Sequence, residues 1–342
     1  MDTTKDRGPK PARDNHYVPQ SVLRRWSRDG DELFARRLLV SHSSVPEWQR
    51  VAVRGIGYQR DLYTSLTGSP DDFERWIARE YEVPATNAVD KVVADTRLSR
   101  EDWHALARFF ALQDLRTPSS FISNMKRWDR EMQSFLEEST AAALREWTAS
   151  NGAPTRTPDP SNHFSDTFKI TVQRPSHPGG QTFIRTEITL GRKFWLDSIR
   201  HLLGGVAETL CEHQWSIAVA ADGVEWPLTD HPALKLNYRS PADYDFGGGW
   251  GTRNTDLFMP LSPRHLLFTE VGRDAGRRVV LSRSESSAFR SFLVERAHRW
   301  VFATEPMDWI ATVRPRLVDA EAFRQESEQW QRWHAEQSRA DQ

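Results

Sequence analysis

Six polar residues stand where chemistry would need them: His16, Gln20, Glu80, Gln113, Arg116 and Asp230. His16 and Gln20 flank Pro19 in NHYVPQSVLRRW, residues 15 to 26. Proline suits a first helical position, so His16 lies just outside a helix N-terminus, where the positive dipole end favours a neutral imidazole. A neutral imidazole suits a base or a metal ligand, and Gln20, one turn on, can hydrogen-bond it or a ligand. The competing reading is that His16 only caps the helix or packs against Trp26.

Between Ser99 and Thr117, Trp103, Leu106, Phe109 and Phe110 define an apolar arc at about 100° per residue, and Gln113 and Arg116 fall inside it. On the helix beginning at Asp71, Glu80 projects between Trp76 and Ile77, so it is also aimed inward. A buried carboxylate is costly without a partner. Arg116 is the natural one, because its planar fork can hold a carboxylate bidentately, with Gln113 completing the network. Pro84 has no N–H for the Glu80 carbonyl, and a kink beside an inward acid would open a pocket.

In EWPLTDHPAL, Asp230 follows a strand-like segment and precedes His231-Pro232, which places it at a strand end or turn. Locally, an Asx-turn capping its own backbone fits it as well, and His231 is a weaker candidate. Cys211, the single cysteine, reads as a small buried hydrophobe.

Together these residues point to hydrolysis of a phosphodiester or nucleotide. His16, Glu80 and Asp230 would form a base or metal-binding set, Arg116 would offset developing negative charge, and Gln20 and Gln113 would bind substrate. A divalent metal is compatible with that set. Against it, a Glu–Gln–Arg network can simply fix helix register. The protein would then be a non-enzymatic sensor or partner-binding protein. Direct nucleic-acid binding, a third reading, requires a basic groove that 46 Lys+Arg against 47 Asp+Glu do not advertise. No H-N-H, P-D-x-K-like, H-E-x-x-H, P-loop or dinucleotide-binding pattern is visible, and GGGWG lacks the lysine or serine/threonine partner of a phosphate loop.

The elements that must position these residues follow from periodicity and punctuation. A short helix is predicted over 19–28, two or three strands over 31–64, and helices from Asp71, from Ser99 to Thr117 (opened by a Ser99-x-x-Asp102 capping box) and from about Ser119 to Ala149. Residues 148–163 read as a long loop or boundary. FKITVQ, TFIRTEITL, WSIAVAA, EWPLT, DLFMPLS and HLLFTEVG read as strands, with one helix through FWLDSIRHLLGGVAETLC and another over 283–302. The expected fold is α+β, a helical N-terminal half packed on a mainly antiparallel sheet from the C-terminal half. It divides into a disordered tail (1–14), a mainly helical half with short strands (15–150), an α+β half sharing the core (151–316) and a polar helical tail (317–342) that frays or docks on a partner.

At 342 residues the chain can bury a sizeable core, and its 14 tryptophans, which follow no fixed period, read as core filling. One cysteine excludes an intrachain disulfide and a cysteine-cluster zinc site, and no apolar run approaches the roughly 18 residues of a membrane span. A cytoplasmic protein with no membrane partner is expected.

HYVPQSVLRRWS, FERWIAREYEVPATNAV, LARFFALQDLRTPSS, PLTDHPAL, LFMPLSPRHLLF and ERAHRWVFA, in that order, resemble the bacterial domain of unknown function 4238 from about His16 to Ala303. That family has an HYVPQ-like opening, a Q-x-x-R-T-P helix end and an S-D-N-P-like turn, here T-D-H-P with Asp230 and Pro232 retained. The resemblance implies no reaction. It does place all six candidate residues inside the segments that make the family recognisable, and it suggests a bacterial protein, with a conflict or phage-defence role as one setting.

Overall fold

The computed structural model describes residues 14–63, 72–149, 168–173, 183–188, 192–274 and 276–340. The tail before Asp14 and nearly all of the 148–163 stretch lie outside the described residues. The chain opens with β1 (Asp14–His16), followed by α1 (Gln20–Leu23) and a 3-10 turn, Arg24–Trp26. Pro19 sits one residue before the helix rather than in it, with ψ 143°. Three strands follow, β2 (Glu32–Arg37), β3 (Leu39–Val40) and β4 (Gln49–Ala52), and then β5 (Tyr58–Arg60), which pairs antiparallel with β1 so that His16 stands opposite Tyr58.

The next elements are helical: α2 (Asp72–Ile77), α3 (Val83–Val93), α4 (Arg100–Leu115) and α5 (Pro118–Ala149). A π turn, Ala78–Glu82, joins α2 to α3, and in it the Val83 N–H bonds the Ala78 carbonyl five residues back. Pro84 explains the widening: it cannot supply the donor that an α-helix would offer the Glu80 carbonyl. The capping box of α4 is present in full, Ser99 accepting from the Asp102 N–H and Asp102 from the Ser99 N–H.

In the second half, β6 (Phe168–Gln173) pairs with β7 (Phe183–Ile188), and α6 (Arg192–His201) continues through another π turn to α7 (Glu208–Cys211). Seven strands come next: β8 (Ser216–Val219), β9 (Leu228–Thr229), β10 (Leu234–Ser240), β11 (Asp243–Asp245), β12 (Thr255–Ser262), β13 (His265–Glu270) and β14 (Arg278–Val280). The chain ends with α8 (Arg283–Arg296), β15 (Trp300–Ala303), α9 (Ile310–Val313), β16 (Leu317–Val318) and α10 (Ala320–Ala340).

A six-stranded sheet, β11-β10-β12-β13-β8-β14, is antiparallel except where β14 joins β8. A four-stranded sheet, β4-β2-β15-β9, combines strands from both ends of the chain, and β3 pairs with β16. The fold is therefore α+β with mainly antiparallel sheets, but strands are not confined to the C-terminal half. Trp26, Trp195, Trp215 and Trp226 are fully buried. Three of their indoles have carbonyl partners: Trp26 donates to Trp226 at 2.8 Å, Trp226 to Ser286 at 2.9 Å and Trp215 to Leu210 at 2.7 Å. These bonds remove the cost of burying the N–H groups.

Two expectations need correction. The helix predicted over 283–302 stops at Arg296, where Ala297 turns extended and 300–303 becomes strand β15. The C-terminal helix docks on its own chain: Trp333 and Trp330 lie 4.3 and 6.0 Å from the Phe121 ring centroid, and Glu326 pairs with Arg299 at 2.5 Å. Among the described residues no helix is long and apolar enough to cross a membrane.

Candidate functional site

Four of the six candidate residues gather around the end of α4. The Arg116 side chain is fully buried and donates from Nη1 to Glu82 Oε1 at 2.5 Å. With the Gln113 amide turned to satisfy both ends, its Oε1 accepts from Arg116 Nη2 and Nε at 2.8 and 3.1 Å and its Nε2 donates to the Tyr17 carbonyl at 3.2 Å. His16, half-buried, lies 3.5 Å from Gln20 Nε2 and tilts against the Tyr58 ring at 5.6 Å. Burial first and the Arg116 charge second hold its pKa below the usual histidine range, so the imidazole is neutral, mainly through desolvation rather than the helix dipole.

Glu80 is not part of this group. Its side chain is 40 % exposed and pairs with Arg79 at 2.7 Å. The π turn interrupts the 100° progression on which the inward placement of Glu80 depended, and Glu82 becomes the acid that meets Arg116.

Among the described residues no hydrogen bond or salt bridge joins Asp230 to Arg116 or Glu82. The buried Asp230 carboxylate accepts from three successive backbone N–H groups, His298 at 2.8 Å, Arg299 at 2.7 Å and Trp300 at 3.0 Å. This long-range grip ends α8 and starts β15. The local turn is made by Thr229 instead, whose hydroxyl donates to the His231 carbonyl at 2.9 Å and accepts from the His231 N–H at 3.3 Å. Desolvation lifts the Asp230 pKa to about 6 even with these three donors. Asp230 also lines a 420 Å³ cavity with Tyr17, Arg37, Arg299 and Glu326.

Adjacent residues build a different site. Asp114, next to Gln113, and His231, next to Asp230, line a 540 Å³ cavity together with Lys235, Arg127, Arg296 and the glycine-rich loop at Gly248–Gly251. The Asp114 carboxylate accepts from Lys235 Nζ and, at 2.9 Å, from Trp250 Nε1. His213 Nε2 lies 2.6 Å from the Trp250 carbonyl and anchors the loop. A Cβ at Gly248 would collide with Thr255 Cγ2, so the loop can follow this path only with glycine there.

His231 Nδ1 is 2.5 Å from Ser119 Oγ and 3.4 Å from Thr117 Oγ1. The Thr117 hydroxyl donates to Ser120 Oγ at 3.0 Å, and Ser120 donates to the Asp114 carbonyl, so Thr117 can only accept from the ring. The closer Ser119 hydroxyl can donate to Nδ1 or accept from it; with the proton on Nδ1, Nε2 is left as an acceptor. Burial, followed by the Arg296 charge, lowers the His231 pKa to about 3, so the ring is neutral at neutral pH.

Asp114 was within reach of sequence reasoning: it is four residues after Phe110 and so falls in the same apolar arc. Lys235 alternates with Leu234 and Leu236 on β10 and carries no local sign of its partner. Chemically, the cavity combines a neutral imidazole, three cations against one carboxylate, and loop backbone, a lining that suits an anionic group. Among the described residues no three His, Cys, Asp or Glu side chains are grouped to hold a metal ion.

No curated protein and no solved structure matches the chain. The model of the family described as "Protein of unknown function (DUF4238)" matches residues 14–306, a span that includes every residue of both polar clusters. The chain belongs to the DUF4238 family.

Proposed function

We propose that the chain is a hydrolase acting on a phosphodiester or nucleotide, and that the reaction takes place in the Asp114–His231–Lys235 cavity rather than around His16, Glu80 and Asp230. The observation that carries this reading is the 540 Å³ cavity whose wall brings His231 together with Lys235, Arg127 and Arg296. Water attacks phosphorus while His231 Nε2 takes its proton; the bond to the leaving oxygen breaks, and the imidazolium returns the proton to that oxygen. Lys235 and the two arginines face the charge that develops on the phosphoryl oxygens. A bound phosphate raises the His231 pKa from its low resting value and moves it toward the range of a working base.

A non-enzymatic sensor or binding protein is the second reading. It is favoured by the Asp114 carboxylate, which Lys235 and Trp250 already satisfy. The two readings separate when the full chain is incubated with bis-p-nitrophenyl phosphate and a nucleotide panel while binding is followed by calorimetry. Turnover that is lost in His231→Gln supports the hydrolase. Saturable nucleotide binding without turnover replaces it with the sensor.

A further inference from the structure

A larger cavity lies between the start of α4 and the outer strand of the six-stranded sheet. It is a groove of 1040 Å³ whose lining includes Arg97, Arg100, Trp103, Arg277 and Arg278. Small-ligand pockets span roughly 300–1,000 Å³, so this one has room for a segment of chain. Arg97 comes from the loop before α4, Arg100 and Trp103 from its first turns, Arg278 opens β14 and Arg277 immediately precedes it. Only Arg278 is neutralised, by Asp95 at 3.0 Å; among the described residues Arg97, Arg100 and Arg277 form no salt bridge. Glu212 is the other carboxylate on the wall. The Arg277 guanidinium lies over the Trp103 ring, 5.0 Å from its centroid.

Unpaired arginines crowded along one groove repel each other until an anion arrives, and this happens in a chain of formal net charge -1. Arginines spaced along a groove track the phosphates of a single strand, and the Arg277 guanidinium laid over the half-buried Trp103 ring offers a plane on which a base stacks. An acidic peptide would use the arginines but not the ring. The groove also adjoins the proposed hydrolytic cavity, because His213 lines the groove and contacts the carbonyl of Trp250, which lines the cavity.

We propose that the groove seats a single-stranded polynucleotide; this deepens the hydrolase reading by naming a substrate class, and it rests on that reading only for the chemistry, not for the binding. The test is fluorescence anisotropy of the full chain with labelled oligo-dT and oligo-U, which needs no turnover and whose two arms distinguish DNA from RNA. The expected result is binding that weakens with salt. The paired substitution Arg97→Glu with Arg100→Glu, both at exposed positions, weakens it at least tenfold and reduces the log–log salt slope by about 1.4, at roughly 0.7 for each lost phosphate contact. Trp103→Leu, which keeps apolar packing and is checked by its thermal midpoint, weakens binding roughly 5- to 100-fold through lost stacking. Absence of binding to either strand overturns the proposal, as does binding indifferent to the two arginines. Equal competition by polyglutamate with no effect of Trp103→Leu assigns the groove to an acidic peptide and also overturns it. Binding without hydrolysis faults the cavity reading alone, and hydrolysis without strand binding faults the groove alone.

Discussion

The two sides of the α4 end treat their polar residues in opposite ways. On one side Gln113 and Arg116 are consumed by Glu82 and the Tyr17 carbonyl, a closed set of bonds in which the guanidinium has no exposure. On the other, Asp114 and its partners Lys235 and Trp250 stand in the wall of an open cavity. At residues 230 and 231 the histidine lines that cavity, whereas the aspartate, in the wall of another, is held by three backbone N–H groups. Neighbouring residues at a helix end or turn project in different directions, so one short segment can supply a structural tie and a chemical group together. Burial of a polar side chain does not distinguish these roles; what lies beyond its hydrogen bonds does.

The comparison is broken most severely on the closed side. Arg116→Ala strips Glu82 and Gln113 of their partner and should cost about 3 kcal/mol, the low end of roughly 3–5 for a broken buried pair because Glu82 retains solvent contact. Urea unfolding measures it, and a loss under 1 kcal/mol would show that the network is dispensable. Asp230→Ala leaves three backbone N–H groups without their acceptor and should cost about 2–3 kcal/mol. Its signature is a weakened α8–β15 junction, visible as faster amide exchange at 298–300.

Acid titration sharpens the contrast between residues 230 and 231. The His231 pKa falls on folding, from the usual value near 6.5 to about 3, so the unfolded chain binds the proton first and stability declines as pH drops from 6.5 toward 3. The Asp230 pKa rises on folding, to about 6, so the folded chain binds the proton first and stability grows as pH drops from 6 toward 4. The two contributions oppose each other, each by at most about 1.4 kcal/mol per pH unit. Urea midpoints between pH 4 and 6 should therefore fall less steeply with acid in His231→Gln than in the wild type, and more steeply in Asp230→Ala. Unchanged slopes in both would show that neither group titrates as its surroundings dictate. The smallest effect belongs to Glu80→Gln, within about 0.5 kcal/mol of the wild type by the same urea assay, since the exposed Glu80–Arg79 pair contributes little.

Local patterns carried the parts of the fold that are decided locally. The capping box at Ser99, the arc that turns Gln113 and Arg116 inward, and most strand segments of the second half were readable from spacing. Glu80 was misplaced because a uniform 100° step ignores the π turn that Pro84 induces. The end of α8 was missed for a different reason: the carboxylate that captures residues 298–300 sits some seventy positions earlier in the chain. The cavity was hidden in the same way, since Lys235 looks like an ordinary outward residue of a strand until Asp114 and Trp250 are brought to it. The near-zero net charge likewise concealed a local arginine groove.

The most direct test sets the two histidines against each other. Hydrolysis of bis-p-nitrophenyl phosphate, or of the best nucleotide, is measured for His231→Gln and His16→Gln proteins that are both shown to be folded. The account predicts a loss of roughly 10²- to 10⁴-fold for His231→Gln, the usual contribution of a general base, and a change of less than about threefold for His16→Gln. The reverse pattern, with His16 essential and His231 dispensable, would contradict it and return the chemistry to the Arg116 side of the helix.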